Sequence, residues 1–224
     1  MAPYYHGELN AAALADPNNT HGKVLGLVGS GKRVLEIGCA TGYMTRQMIV
    51  SQRCEVTALE VDPEAARLAR EVGATVLTGD VEKDGLLEQL EGRFDVIVLA
   101  DVLEHLREPW TLLNRLKSVL VPGGHLIVSA PNVAHWTVRT RLLLGRFEYG
   151  EKGILDSNHL QFFTSRSIVR LITGSGYKII RSDVMYIFPF HRRLGLHRLA
   201  EKWMLPGWLS GLFGYQFIIE ASSE

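Results

Sequence analysis

Residues 26–42 read GLVGSGKRVLEIGCATG. Two glycine-rich stretches flank one apolar run here, and the position of each relative to that run decides the fold. The first, Gly26 to Lys32, has the G-x-x-x-x-G-K spacing of a phosphate-binding loop. Such a loop follows a strand and opens a helix, so that phosphates meet the unpaired N–H groups of the helix N-terminus. Lys32 leads instead into Val34-Leu35-Glu36-Ile37, and Arg33 stands where a magnesium-binding Ser or Thr is needed. GLVGSGK therefore reads as the turn between an N-terminal helix, roughly residues 20–27, and the first strand. The second stretch, Gly38-Cys39-Ala40-Thr41-Gly42, follows that strand and precedes a helix, at the edge where open α/β sheets bind their ligands. It departs from the dinucleotide fingerprint, because Tyr43 occupies the place of the third glycine.

Outward from this point the chain alternates. Residues 33–37, 55–60, 75–77, 94–100 and 124–130 are short runs rich in Val, Ile and Leu and read as buried strands. Between them, 43–50, 63–71, 86–90 and 109–120 read as helices, two of them opening on proline. This rhythm implies a parallel sheet covered on both faces. It breaks at a long insertion, 131–164, which precedes a helix at 165–173. Strands at 177–187 and 215–221 follow, with a second insertion, 188–213, between them. Loops of this length usually serve a function.

The composition sets limits on what such a chain does. With 224 residues and 46% hydrophobic content it can bury one full core, so a single domain is expected. Lys and Arg balance Asp and Glu at 24 each, which gives no charge argument for a nucleic-acid partner or for a membrane held by charge. The two cysteines are too few for a disulfide framework, which points to a reducing, cytoplasmic setting. The first thirty residues lack a signal-peptide pattern and no run is long enough to span a membrane, so a soluble protein is expected.

Acids stand at the ends of successive strands. Glu60 closes the second strand and lies 24 residues after Glu36, near the distance at which an acid meets the ribose hydroxyls of a bound nucleoside. Asp80 follows the third strand, where a carboxylate can accept from an exocyclic amine, and Asp101 closes the fourth.

With these residues in place the chain resembles the Rossmann-like (class I) S-adenosylmethionine-dependent methyltransferases. The resemblance is carried by VLEIGCATG (34–42), LEVD (59–62), GDVE (79–82), FDVIVLADVLEHL (94–106) and PGGHLIVSAPN (122–132), and spans residues 20–185. It implies an α/β fold with a seven-stranded sheet of order 3-2-1-4-5-7-6, strand 7 antiparallel, and S-adenosylmethionine as cofactor. It also implies that Glu36 orders the glycine loop, that Gly38, Cys39, Ala40, Thr41 and Gly42 approach the cofactor, and that Glu60 and Val61 hold the ribose. Asp80 and Val81 would frame adenine, Ala100, Asp101 and Val102 would line the methionine side, and Tyr5 would close over the cofactor from an N-terminal lid within residues 1–30. Cys39, in a place usually held by glycine or another small residue, is expected to pack.

The implied chemistry is in-line displacement at a sulfonium methyl, for which the protein mainly aligns a nucleophile and excludes water. A hydroxyl acceptor also needs a base, and histidine suits that task at neutral pH. His105, His135 and His159 are the candidates; His105 is the expected neighbour of the cofactor and His159 of the acceptor. No spacing of His, Cys and Asp suggests a metal site. The strings PNVAHW (131–136) and HLQFFT (159–164) resemble a bacterial subgroup associated with sugar, polysaccharide or secondary-metabolite methylation, so a small-molecule or sugar acceptor is expected, with oxygen favoured over nitrogen. Trp136, Arg139, Arg141, Arg146, Phe147 and Tyr149 could serve that acceptor by stacking and charge pairing, or Leu142 to Leu144 could pack and the arginines be solvated. The second insertion could cover the site, form a homodimer surface or touch lipid headgroups. A non-catalytic cofactor-binding scaffold and an NAD-dependent dehydrogenase or epimerase are the competing readings.

Overall fold

Alternation along each central strand places apolar side chains on both faces of one sheet, because successive residues of a strand point to opposite sides. In β4 (Phe94–Ala100), Val96 and Val98 belong to one core cluster and Ile97 and Leu99 to the other. β5 (Leu120–Pro131) and β7 (Gly214–Ser223) divide the same way, Ile127 and Ile218 on one face, Leu126, Val128, Phe217 and Ile219 on the other. With β1 (Arg33–Ile37), β2 (Glu55–Glu60), β3 (Thr75–Thr78) and β6 (Tyr177–Tyr186), they form a seven-stranded sheet of order β3-β2-β1-β4-β5-β7-β6, in which β7 is antiparallel to both neighbours. This is the order expected. The structure, a computed structural model, describes Leu14, Asp16 and residues 19–83, 85–187 and 207–223. Tyr5, the first part of the expected lid and most of the second insertion lie outside the described residues.

Helices cover both faces. α1 (Thr20–Val28) packs over β4, β5 and β7 through Val24, Leu25 and Val28, joined on that face by Met44 and Met48 of α2 (Tyr43–Val50). On the other face Leu112, Leu113 and Leu116 of α4 (Pro109–Leu116) meet Ile168 and Ile172 of α6 (Ser165–Gly174). α3 (Pro63–Glu71) starts on the Asp62 side chain, which accepts from the N–H groups of Glu64 and Ala65, with Pro63 in the first turn. Two of its alanines, Ala66 and Ala69, allow close contact with the sheet edge.

Most boundaries shift by one or two residues, and three elements differ more from the sequence reading. The helix expected over 109–120 ends at Leu116, a short 3-10 turn follows, and Leu120 already pairs with Phe94 to begin β5, with a bulge before the register resumes at Val96 and His125. The segment expected as a helix at 86–90 is a single 3-10 turn, Leu86–Gln89, entered through Gly85 at φ 60°. The insertion 131–164 contains a helix, α5 (Trp136–Leu143), with the His135 ring accepting at its N-terminus. Leu142, Leu143 and Leu144 at its end are exposed and do not pack on the domain.

Candidate functional site

At the carboxyl ends of β1 to β4 lies a cleft of about 730 Å³, within the range of small-molecule sites. Its wall includes Gly38, Ala40, Glu60, Val61, Asp80, Val81, Ala100, Asp101 and Val102, which the sequence singled out, together with His105 and His159.

The glycine loop is shaped by left-handed backbone at Gly38 (φ 74°), Ala40 (φ 48°) and Gly42 (φ 82°). A side chain at Gly38 would place its Cβ 2.8 Å from the Val102 methyl, and one at Gly42 would come 2.9 Å from the backbone of Ala69. The loop is tied to β2 by Glu60, whose two carboxylate oxygens accept from the N–H of Ala40 (2.8 Å) and of Asp62 (3.0 Å). Each oxygen keeps a further lone pair for a ligand hydroxyl. Glu36, expected to order this loop, is buried, accepts from Thr45 Oγ1 in α2, and is absent from the cleft wall. Burial raises its carboxyl to about 7, with Glu60 adding to the rise and the Thr45 hydroxyl opposing it. Asp80 takes the Glu82 N–H at 2.9 Å and faces Lys83 at 2.8 Å, which holds its carboxyl below the usual range.

Asp101 is held in left-handed backbone (φ 58°). Its Oδ1 accepts from Ser129 Oγ (2.7 Å) and from the Gln216 amide, whose oxygen takes the Thr20 hydroxyl at 2.7 Å. One carboxylate thus links the β4 end, β5, β7 and α1. His21 and Tyr43 reach the same cleft and meet edge to face, Tyr43 Oη lying 3.3 Å from His21 Nε2. Burial keeps the His21 imidazole below its ordinary pKa against the pull of Asp101, and raises the Tyr43 phenol. The sequence reading missed both. His21 belongs to the helix before the rejected phosphate loop, and Tyr43 counted there only as a missing glycine.

Glu104, His105 and His159 form a cluster whose nearest ligand atoms lie within 4.8 Å of one another. Glu104 is 1% exposed and its Oε2 has no hydrogen-bond partner. Burial, with Asp101 nearby, holds its carboxyl well above the usual range. His105 and His159 pack edge to face with centroids 4.8 Å apart, and their Nδ1 atoms lie 3.2 Å from the Asn158 carbonyl and 3.1 Å from the Ile154 carbonyl. Burial, then His159, lowers the His105 pKa. The insertion is fastened here because Leu160 and Gln161 both donate to the Glu104 carbonyl, at 2.7 and 2.9 Å.

Other expected site residues lie elsewhere. Cys39 packs against Ala58, Ala66 and Ala69, and burial pushes its thiol up, as suits a packing residue. Thr41 and Gly42 are not on the cleft wall, though Gly42 sets the loop's path past Ala69. His135 is not brought to the cleft: it is fully buried, with Nδ1 2.8 Å from Thr137 Oγ1 and Nε2 3.2 Å from the Ile187 carbonyl, so both ring nitrogens are engaged away from the cleft wall.

Comparison with known proteins bears on this geometry. Residues 11–182 match the profile of a family described as Methyltransferase domain. A ubiquinone biosynthesis O-methyltransferase of Xanthomonas euvesicatoria is 32% identical over 107 residues, 46% of this chain and 44% of its own length, so the match spans less than half of that relative. The magnesium protoporphyrin IX methyltransferase of Synechocystis, solved with S-adenosylhomocysteine bound, superposes with a TM-score of 0.63 at 18% identity over 99% of this chain and 91% of its own. A cyclase of the same fold superposes at 0.58 with 15% identity over 90% and 79%. Fold alone therefore does not set the reaction, which has to be argued from the site.

Proposed function

The chain belongs to the methyltransferase domain family, and from that premise we propose that it transfers the methyl group of S-adenosylmethionine to a hydroxyl of a small acceptor carrying a sugar or aromatic ring. The observation that carries this reading is a single cleft with Glu60 at one place and the Glu104, His105 and His159 cluster at another. The donor supplies a methyl already activated by a positive sulfonium.

The chain's own residues hold, align and exclude water. Glu60 is poised for the ribose diol, since both oxygens are oriented by backbone N–H groups, and Asp80 stands at the β3 end for the adenine amine. Gly38 fits the donor's close approach, because its missing Cβ is the space beside Val102. Asp101, fixed by Ser129 and Gln216, faces the same cleft as His21 and Tyr43. Proton loss from the acceptor falls to the histidine pair, whose rings are oriented through Nδ1. His135 has no part in it.

Residues 131–164 act as the acceptor cover within a single domain. Phe147 lies 5.5 Å from the Tyr149 ring and 6.2 Å from Phe162, and Phe162 is 6.4 Å from His159. None of these rings is on the cleft wall, but Phe147 and Tyr149 are exposed beside Phe162, which neighbours His159, and in this reading they stack on the outer part of a ring-bearing acceptor. The O-methyltransferase name of the Xanthomonas relative supports oxygen as the acceptor atom. The test is incubation with methyl-labelled S-adenosylmethionine and a panel of nucleotide sugars, glycans and phenolic metabolites, read by mass spectrometry. One added methyl on a hydroxyl of a ring compound is expected; transfer only to nitrogen, protein or RNA, or no transfer by protein that binds the donor, overturns the reading.

A further inference from the structure

We propose that Glu104, His105 and His159 hold a divalent transition-metal ion, zinc or a close analogue, with an open coordination position toward the acceptor. This deepens the proposed function at the same cleft and rests on it for the identity of the acceptor.

Three independent features converge. Two imidazoles and one carboxylate, with ligand atoms within 4.8 Å of one another, are a donor set that zinc and its neighbours accept with one position left for water or substrate. Each histidine places Nδ1 on a backbone carbonyl, Asn158 for His105 and Ile154 for His159. A neutral ring that donates from Nδ1 keeps its lone pair on Nε2, and histidine ligands in metal sites are oriented by just such a carbonyl. Glu104 Oε2 is enclosed among the described residues with no hydrogen-bond partner. An orphan buried carboxylate oxygen carries a desolvation cost that a cation removes. Burial alone explains none of the three together: a histidine serving only as packing has no need of an unpartnered carboxylate beside it.

The ion would lower the pKa of an acceptor hydroxyl bound at the open position. The acceptor's O–H bond breaks and its proton passes to solvent. The oxygen pair forms the O–CH₃ bond while the S–CH₃ pair returns to sulfur, and the ion is neither oxidised nor reduced. This replaces a single histidine base by a site in which both histidines are required together.

The experiment uses the full chain dialysed against a chelator and titrated calorimetrically with Zn²⁺, in parallel with S-adenosylhomocysteine. One Zn²⁺ per chain is expected. Glu104→Gln and His159→Ala should weaken it by more than the ~10–100-fold that loss of a supporting hydrogen bond costs, while His125→Ala, on the far pairing with Glu220, keeps it. S-Adenosylhomocysteine affinity should be unchanged in all of them, which also shows that the variants fold. Should a variant fail to fold, wild-type protein loaded with Co²⁺ provides the check: two paramagnetically shifted, exchangeable imidazole N–H signals are expected from the two Nδ1–H groups. No Zn²⁺ uptake, uptake indifferent to Glu104→Gln and His159→Ala, or fewer than two such signals overturns the metal site even if S-adenosylhomocysteine binds. Absence of S-adenosylhomocysteine binding instead strikes the methyltransferase reading and leaves the metal test to stand by itself.

Discussion

The two parts of the cleft are built in different ways. Around the glycine loop the decisive contacts are close in sequence: Glu60 reaches Ala40, 20 residues away, and Asp62, two away, while Glu36 reaches Thr45, nine away. Around the histidine cluster the contacts that join its two halves are remote, with His105 meeting Asn158 across 53 residues and Leu160 and Gln161 donating to the Glu104 carbonyl, while His159 alone is oriented locally, by Ile154 five residues away. The first part is one strand–loop–helix unit that a short string can specify. The second exists only after the sheet has closed and the insertion has been fastened to the Glu104 carbonyl.

That contrast predicts that the two parts can be disabled separately. The largest effect is expected from His105→Ala or His159→Ala, which should lower kcat by about 10²–10⁴, the usual range for a positioned proton-transfer group. S-Adenosylhomocysteine affinity should stay within about threefold, a change smaller than one hydrogen bond. Equal losses of kcat and cofactor affinity would merge the two parts into one. Next, Glu60→Ala should cost roughly 100-fold in S-adenosylhomocysteine affinity by calorimetry, since two hydrogen bonds to a charged group are worth about 3 kcal/mol. Retained affinity in that variant would remove the ribose role.

A third expectation concerns the footing of the glycine loop. Burial raises the Glu36 carboxyl from 4.5 in the unfolded chain to about 7 in the fold. Between those pH values the unfolded chain has lost the proton and the fold retains it, so stability is full below about 4.5, falls as pH rises, and levels off above about 7. Glu36→Gln should flatten that decline in denaturant titrations at pH 5, 6 and 7; an unchanged slope would mean that the carboxylate is solvated. The smallest effect is reserved for the insertion. Phe147→Ala should raise the acceptor KM by about three- to tenfold, with kcat and cofactor affinity unchanged, as loss of one aromatic contact of about 1 kcal/mol requires. A kcat defect instead would place Phe147 with the reacting groups.

Legibility follows the same division. The alternating strands and helices, the turn at residues 29–32, the glycine loop and the strand-end acids Glu60, Asp80 and Asp101 are readable because apolar runs and glycine positions are local signals, whereas the strand order and the antiparallel seventh strand follow only from the resemblance to class I methyltransferases. For Glu36 the sequence offers no partner, because a buried acid at a strand end looks the same whether it meets the loop directly or, as here, accepts from Thr45. His135 looked equivalent to His105 and His159, and only the fold shows its ring engaged by Thr137 and Ile187. Glu104 carries no local sign of a site role within DVLEHL, since its burial and unpartnered oxygen are properties of the folded chain, in which Leu160 and Gln161 donate to its carbonyl. No spacing rule could have joined it to His159.

The central claim, that this cleft is an S-adenosylmethionine site organised by Glu60, is tested most directly by calorimetric titration of the wild-type chain with S-adenosylhomocysteine and, separately, with NAD. The account predicts saturable binding of one S-adenosylhomocysteine per chain and no binding heat with NAD; binding of NAD with no response to S-adenosylhomocysteine would contradict it.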